Sequence, residues 1–167
     1  MKYDYVTLYN KTADFFKTRP HAKWLLLLGN SLLTWVFFVF YAGLLLGSSF
    51  STKELVSILF VPLLGLLTAT ILRLAIERPR PYSEYGANIT PLIKKKSDNH
   101  SFPSRHMTCA TVIAMTFLPF HPWIGGVLLL LSAVLGYCRF ATGMHYPSDL
   151  LCGAGLGVLI GCFIFLL

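Results

Sequence analysis

Charge is what this sequence has least of. Charged side chains make up 13% of its 167 residues, where a soluble domain carries about a quarter. That scarcity argues against a chain whose whole surface faces water. Paired cysteines are also missing. Cys109, Cys138, Cys152 and Cys162 form no C-x-x-C motif, so they read as small apolar packing residues and not as a metal or redox site. No internal repeat or low-complexity tract interrupts the chain. No cleavable signal peptide is expected: the first apolar run is long, and Gly47 to Ser51 makes no convincing cleavage site.

What is present is long hydrophobic runs. A bilayer-crossing helix needs about 20 mostly apolar residues. Five stretches qualify: Trp24 to Leu46, Leu55 to Ile76, Ser104 to Phe120, Trp123 to Phe140, and Ser148 to Leu167. They use most of the chain. The expected fold is an all-α, integral-membrane bundle of about five transmembrane helices, forming one domain over residues 24–167. Residues 1–23 are polar, yet Tyr5, Leu8, Tyr9, Thr12 and Phe16 share a helical face, which predicts an interfacial amphipathic helix before the first span. In the last span Gly153, Gly157 and Gly161 recur every fourth residue, a smooth stripe that lets another helix come close.

The net charge of +7 does not point to nucleic acid. The cations cluster between apolar runs and form no single basic face, so phospholipid head groups and phosphate ligands explain them better. Lys94, Lys95 and Lys96 read as a solvated or head-group-facing patch in the longest connection, Glu77 to Pro103. Only Lys53 among the 14 Lys and Arg falls on the opposite side from that loop. The positive-inside rule would put the loop side in the cytoplasm. Several of these cations have a second use, described next, so the sequence leaves sidedness open.

Alternation of five spans brings the Glu77 to Pro103 loop and the Ala141 to Pro147 loop to one face. Three polar segments meet there: Arg73-x6-Arg80-Pro81, then Phe102-Pro103-Ser104-Arg105-His106, then Arg139-x5-His145-x3-Asp149. Phosphoryl transfer asks a protein mainly for positioning and for stabilisation of charge on the equatorial oxygens. Arginine forks suit those oxygens. Ser104 can cap the third span, whose free amides could face an anion. His106, in the first turn, could act as a general acid. Asp149, in the first turn of the fifth span, could fix one nitrogen of His145 and sharpen the other as a nucleophile.

These segments resemble the three signature motifs of the type 2 phosphatidic acid phosphatase superfamily, K-x6-RP, PSGH and SR-x5-H-x3-D, in the right order and with the right internal spacings. The resemblance covers Arg73 to Asp149. It implies a membrane lipid phosphatase in which Arg73, Arg80, Ser104 and Arg139 bind phosphate. It also implies that His106 is the general acid, that His145 forms a phosphohistidine, and that Asp149 orients His145. It implies no metal and no cofactor, and the sequence offers no obvious carboxylate cluster to hold a metal. Three positions depart from the pattern: Arg73 stands for lysine, Arg105 for glycine and Cys138 for serine. Arg105 is left between substrate contact and surface. Arg78 and Glu77 fall outside the motif positions and read as a local salt bridge or head-group contact. His21, His100 and His121 read as structural. The implied substrate and partner is a membrane lipid: undecaprenyl diphosphate, phosphatidylglycerophosphate or phosphatidic acid. The other classes weighed are a catalytically silent lipid-binding scaffold and a vanadate-dependent haloperoxidase.

Overall fold

The computed structural model describes residues 5–47, 49–93 and 100–166, and the Lys94 to Lys96 patch lies outside them. The described chain is all helical. Helix α1 spans Tyr5–Lys17, α2 Pro20–Gly47, α3 Thr52–Ala75, α4 Pro81–Glu84, α5 Arg105–Phe117, α6 Pro122–Ala141 and α7 Pro147–Gly161. A 3-10 turn, Cys162–Phe165, continues α7, and another, Gly86–Asn88, follows α4. Proline opens α2, α4, α6 and α7, where its missing N–H is one the helix would leave unbonded anyway. Ser51 and Glu54 close a reciprocal cap at the start of α3.

Among the described residues, four helices are long and apolar enough to cross a bilayer: α2, α3, α6, and α7 with its 3-10 extension. Trp35, Leu66, Leu130 and Leu159 are exposed on them, as expected where lipid is the solvent. The third predicted span differs. Helix α5 has 13 residues, about 20 Å of rise against a hydrocarbon core of about 30 Å. It is sheathed in protein. Every residue from Ala110 to Phe117 is buried, and α5 packs on α2, α3, α6 and α7. Its run reads as a span because a core helix and a lipid-facing helix are both apolar.

The glycine stripe of α7 faces α5. A Cβ on Gly153 would lie 2.8 Å from the Ser104 carbonyl oxygen, and one on Gly157 would lie 2.6 Å from Thr111 Cβ. On Gly161 it would lie 2.5 Å from Met115 Cβ. These approaches exclude any side chain, so the stripe seats α7 directly on α5 and fixes the ends of both helices relative to each other.

Helix α1 forms where expected. Tyr5, Tyr9 and Ala13 are its buried face, turned onto protein: Ile89 and Tyr146, with Tyr85 and Phe140 alongside. The Tyr9 hydroxyl donates to the Thr90 carbonyl at 3.2 Å, and the Asn10 amide to the Asn88 carbonyl at 3.1 Å. Gly143 completes the seat. Its φ is +79°, and a Cβ there would lie 2.8 Å from the Tyr9 hydroxyl. Glycine meets both demands at once, freedom of φ and absence of a side chain.

Candidate active site

The motif residues come together at one end of the bundle, and backbone hydrogen bonds hold them there. The Ser104 amide donates to the Asp149 carbonyl at 3.0 Å, tying the start of α5 to the first turn of α7. The Ser101 amide donates to the Arg78 carbonyl at 2.9 Å, tying in the segment that follows α3. His145 and Asp149 are buried, as are Ser104, Arg80 and Arg139.

His145 sits between two acceptors. Its Nδ1 lies 3.0 Å from the Ser101 carbonyl oxygen and 3.5 Å from Asp149 Oδ2. A carbonyl oxygen can only accept, so Nδ1 carries the hydrogen and donates it to Ser101. The lone pair then belongs to Nε2. Burial pushes the imidazole below its ordinary range; Asp149 pulls it up, and Arg80 and Arg139 push it down again. The net direction is down, towards a neutral ring. Asp149 at the start of α7 agrees with the expected placement, but its closest partners are others. Oδ1 meets Arg78 at 2.7 Å, and Oδ2 accepts from the Tyr146 amide at 3.0 Å.

The arginines arrive from three segments. Arg80 donates to the Met144 carbonyl at 3.1 Å, directly before His145. Arg139 donates to Thr34 Oγ1 at 3.2 Å and touches the Met144 sulfur at 3.7 Å, while its buried Nε has no partner. Arg73 donates to the Pro103 carbonyl at 3.3 Å, on the segment that leads into α5. Ser104 holds the N-cap position of α5 but makes no cap: its buried hydroxyl has no partner. Its amide is not open to an anion either, because Asp149 has it. Of Ser104 itself, that leaves the hydroxyl as the group on offer.

His106 opens onto a cavity of about 190 Å³ between α2, α3, α5 and α6. Arg105 is exposed and lies beside it at the same cavity. Phe37, Phe38, Leu66, Ile113 and Leu135 form apolar walls, and Thr34, the partner of Arg139, lines it too. A polar end and an apolar body therefore adjoin.

A superfamily profile described as "PAP2 superfamily" matches residues 54–167. The chain belongs to the PAP2 superfamily. Among curated relatives, the Bacitracin transport permease protein BcrC of Bacillus licheniformis is 40% identical over 78 residues, 47% of this chain and 38% of that protein. Undecaprenyl-diphosphatase BcrC of Bacillus subtilis is 30% identical over 121 residues, 72% of this chain and 61% of that protein. The chain thus spans less than two thirds of either relative. The crystal structure of Aquifex aeolicus LpxE superposes with a TM-score of 0.72 over 96% of both chains at 21% identity, so the two share a fold.

Two contributors on this PAP2 chain escaped the sequence reading. The Ser101 carbonyl holds His145, and no side-chain motif can announce a backbone oxygen. Arg78, read as a local contact, reaches Asp149 across the bundle. The single clue was its position beside a motif arginine. His100 keeps its structural reading: its Nδ1 lies 2.7 Å from the Arg73 carbonyl oxygen.

Proposed function

We propose that this protein is a cell-membrane lipid phosphatase that hydrolyses a phosphomonoester or diphosphate through a phosphohistidine. The observation that carries the reading is the His145 environment: a buried ring with its Nδ1 hydrogen committed to Ser101 and its Nε2 lone pair left for attack. Nε2 attacks the terminal phosphorus, and the bond from that phosphorus to the leaving oxygen breaks: the alkoxide oxygen of a phosphomonoester, or the bridging oxygen of a diphosphate, which departs as the lipid monophosphate. His106 protonates that leaving oxygen. His106 then takes a proton from water, the water oxygen attacks phosphorus, the P–N bond breaks, and inorganic phosphate leaves.

Arg73, Arg80 and Arg139 bind the equatorial oxygens as charge builds on them. The partnerless Ser104 hydroxyl and Arg139 Nε support this role, since a phosphoryl oxygen would satisfy both. Because His106 acts on the leaving oxygen, the lipid attached to that oxygen extends from the His106 side. The apolar cavity beside it is then the seat for the start of the lipid chain, and Arg105 at its edge contacts the head group.

The substrate class is an undecaprenyl diphosphate-like polyprenyl diphosphate or a glycerophospholipid phosphate such as phosphatidylglycerophosphate or phosphatidic acid. The relative named as an undecaprenyl-diphosphatase supports the first of these. The test is release of inorganic phosphate by the purified protein across those lipids, with His145→Ala alongside. Turnover by the parent and none by the variant is expected. A parent inactive on every lipid would favour a silent scaffold, and an active His145→Ala would remove the phosphohistidine.

A further inference from the structure

Arg78 lies outside the three motifs, yet among the described residues it makes the shortest contact to Asp149. Its Nη1 is 2.7 Å from Asp149 Oδ1 and 2.8 Å from Ser148 Oγ, and its Cζ stands 4.0 Å over the Tyr146 ring. All three contacts fall on the first turn of α7 and its cap. The carboxylate is fully buried while the arginine side chain is 33% exposed. Arg78 therefore reaches inward from the protein edge to a charge that water does not touch.

That charge stands 3.5 Å from His145 Nδ1. A buried carboxylate with no cation of its own would favour protonating the neighbouring imidazole. An imidazolium has no lone pair at Nε2 and cannot attack phosphorus. Arginine keeps its charge at any relevant pH and suits this pairing. We propose that Arg78 is a positioning residue for phosphoryl transfer: by pairing with Asp149 it directs the carboxylate away from full engagement with His145 and keeps the nucleophile neutral. The proposal rests on the phosphohistidine reading above.

Other charges face the same pair. Arg80, just before α4, and Arg139, on α6, act on His145, and both disfavour its protonation. Arg73, on α3, and Tyr5, on α1, lie within electrostatic reach of Asp149. Glu84, on α4, accepts from the Tyr146 hydroxyl behind Arg78. Arg80 and Arg139 serve phosphate in the proposed reaction, so an incoming anion draws on their charge. Among the described residues Arg78 is the cation paired directly with Asp149, and its effect persists when substrate is bound.

The experiment is the pH dependence of kcat and kcat/KM in detergent micelles containing phosphatidic acid or a polyprenyl diphosphate, whichever the parent hydrolyses. It compares the parent, Arg78→Gln, Arg78→Lys and His145→Ala, with thermal unfolding as a control on fold. Arg78→Gln keeps hydrogen bonding and loses charge. Its acid limb should move up by about one pH unit or more, so that activity falls most at low pH and recovers as pH rises. Arg78→Lys should keep the limb near the parent's. A uniform loss across pH in Arg78→Gln, or an equal displacement in Arg78→Lys, would overturn the proposal. Retained turnover in His145→Ala would instead sink the parent reading. If Arg78→Gln fails to fold, the double variant Arg78→Gln/Asp149→Asn leaves no uncompensated buried charge. Its limb should match that of Asp149→Asn alone, and a difference between those two would overturn the assignment as surely.

Discussion

A buried hydroxyl without a partner costs a protein about 1–3 kcal/mol, and Ser104 carries one at the end of the bundle where the motifs meet. Removing it separates stability from function. Ser104→Ala should melt at or above the parent's temperature, because nothing in the protein loses a bond. It should also lower kcat/KM by about 10²-fold, the scale of one lost donor to a phosphoryl or acyl oxyanion. A drop in melting temperature with activity unchanged would give the hydroxyl a structural role. The pH profile follows from His145. In the proposed reaction its neutral form is the nucleophile, and burial lowers its pKa from the ordinary value. Activity should therefore persist as pH falls past about 6.5 and fade only below it; a limb above that value would contradict the buried environment. His106 is tested by the leaving group. His106→Ala should lose most of its turnover on a lipid phosphomonoester, whose alkoxide needs a proton to leave, but little on an aryl phosphate, whose phenolate leaves without one. At this scale the sequence was legible in placement: the fixed spacing of Arg139, His145 and Asp149 anticipated that these side chains meet, buried, at one end of the bundle. It was silent on the Ser101 carbonyl. It also undervalued Arg78, because a contact joining the α3–α4 connection to α7 has no local signature.

At the scale of elements, the α5–α7 contact does most to fix the site, since it joins the segments bearing His106 and Asp149. Gly157 and Gly155 form a natural comparison. A methyl on Gly157 would meet Thr111 Cβ at 2.6 Å and the Thr108 carbonyl oxygen at 2.9 Å, whereas one on Gly155 meets nothing within 4 Å. Gly157→Ala should destabilise by about 1–3 kcal/mol through overpacking. Gly155→Ala should be neutral or stabilising by up to about 1 kcal/mol through helix propensity. Thermal unfolding in detergent reads both, and similar melting temperatures for the two variants would mean that the helices are not in this contact. The four-residue spacing made the stripe readable, because 3.6-residue periodicity alone puts those glycines on one face. The length of α5 was not readable. Apolar composition says that a segment avoids water, not whether lipid or protein replaces it. Only the packing of neighbours on α5 distinguishes the two, and those neighbours are distant in sequence. Helix α1 shows the same limit in reverse. Its amphipathic face was visible, but its seat against Gly143 and Ile89 depends on a turn whose positive φ no periodicity encodes.

Across the whole molecule, the proposed function makes the polar end with His145 and the apolar cavity beside His106 two halves of one requirement: a lipid head group must meet charge while its chain stays out of water. The cavity holds about 190 Å³, too little for an entire lipid but enough for the first carbons beyond the leaving oxygen. The rest of the chain would continue into the bilayer between helices. Enlarging a side chain on the cavity wall should then discriminate between substrates without touching the chemistry. Ala110 is buried and lines this cavity, and Ala110→Leu extends into it. The added apolar atoms fill space, so the melting temperature should hold or rise. Hydrolysis of a water-soluble aryl phosphate, which has no lipid chain to accommodate, should stay within about twofold. For a long-chain lipid phosphate in micelles, KM should rise by about tenfold, the effect of losing about 1.4 kcal/mol of apolar contact. If both substrates suffer alike, the cavity contributes to the catalytic end itself and the chain leaves by another route. If neither is affected, the lipid does not use this side of α5, and His106 would not be the group facing its leaving oxygen.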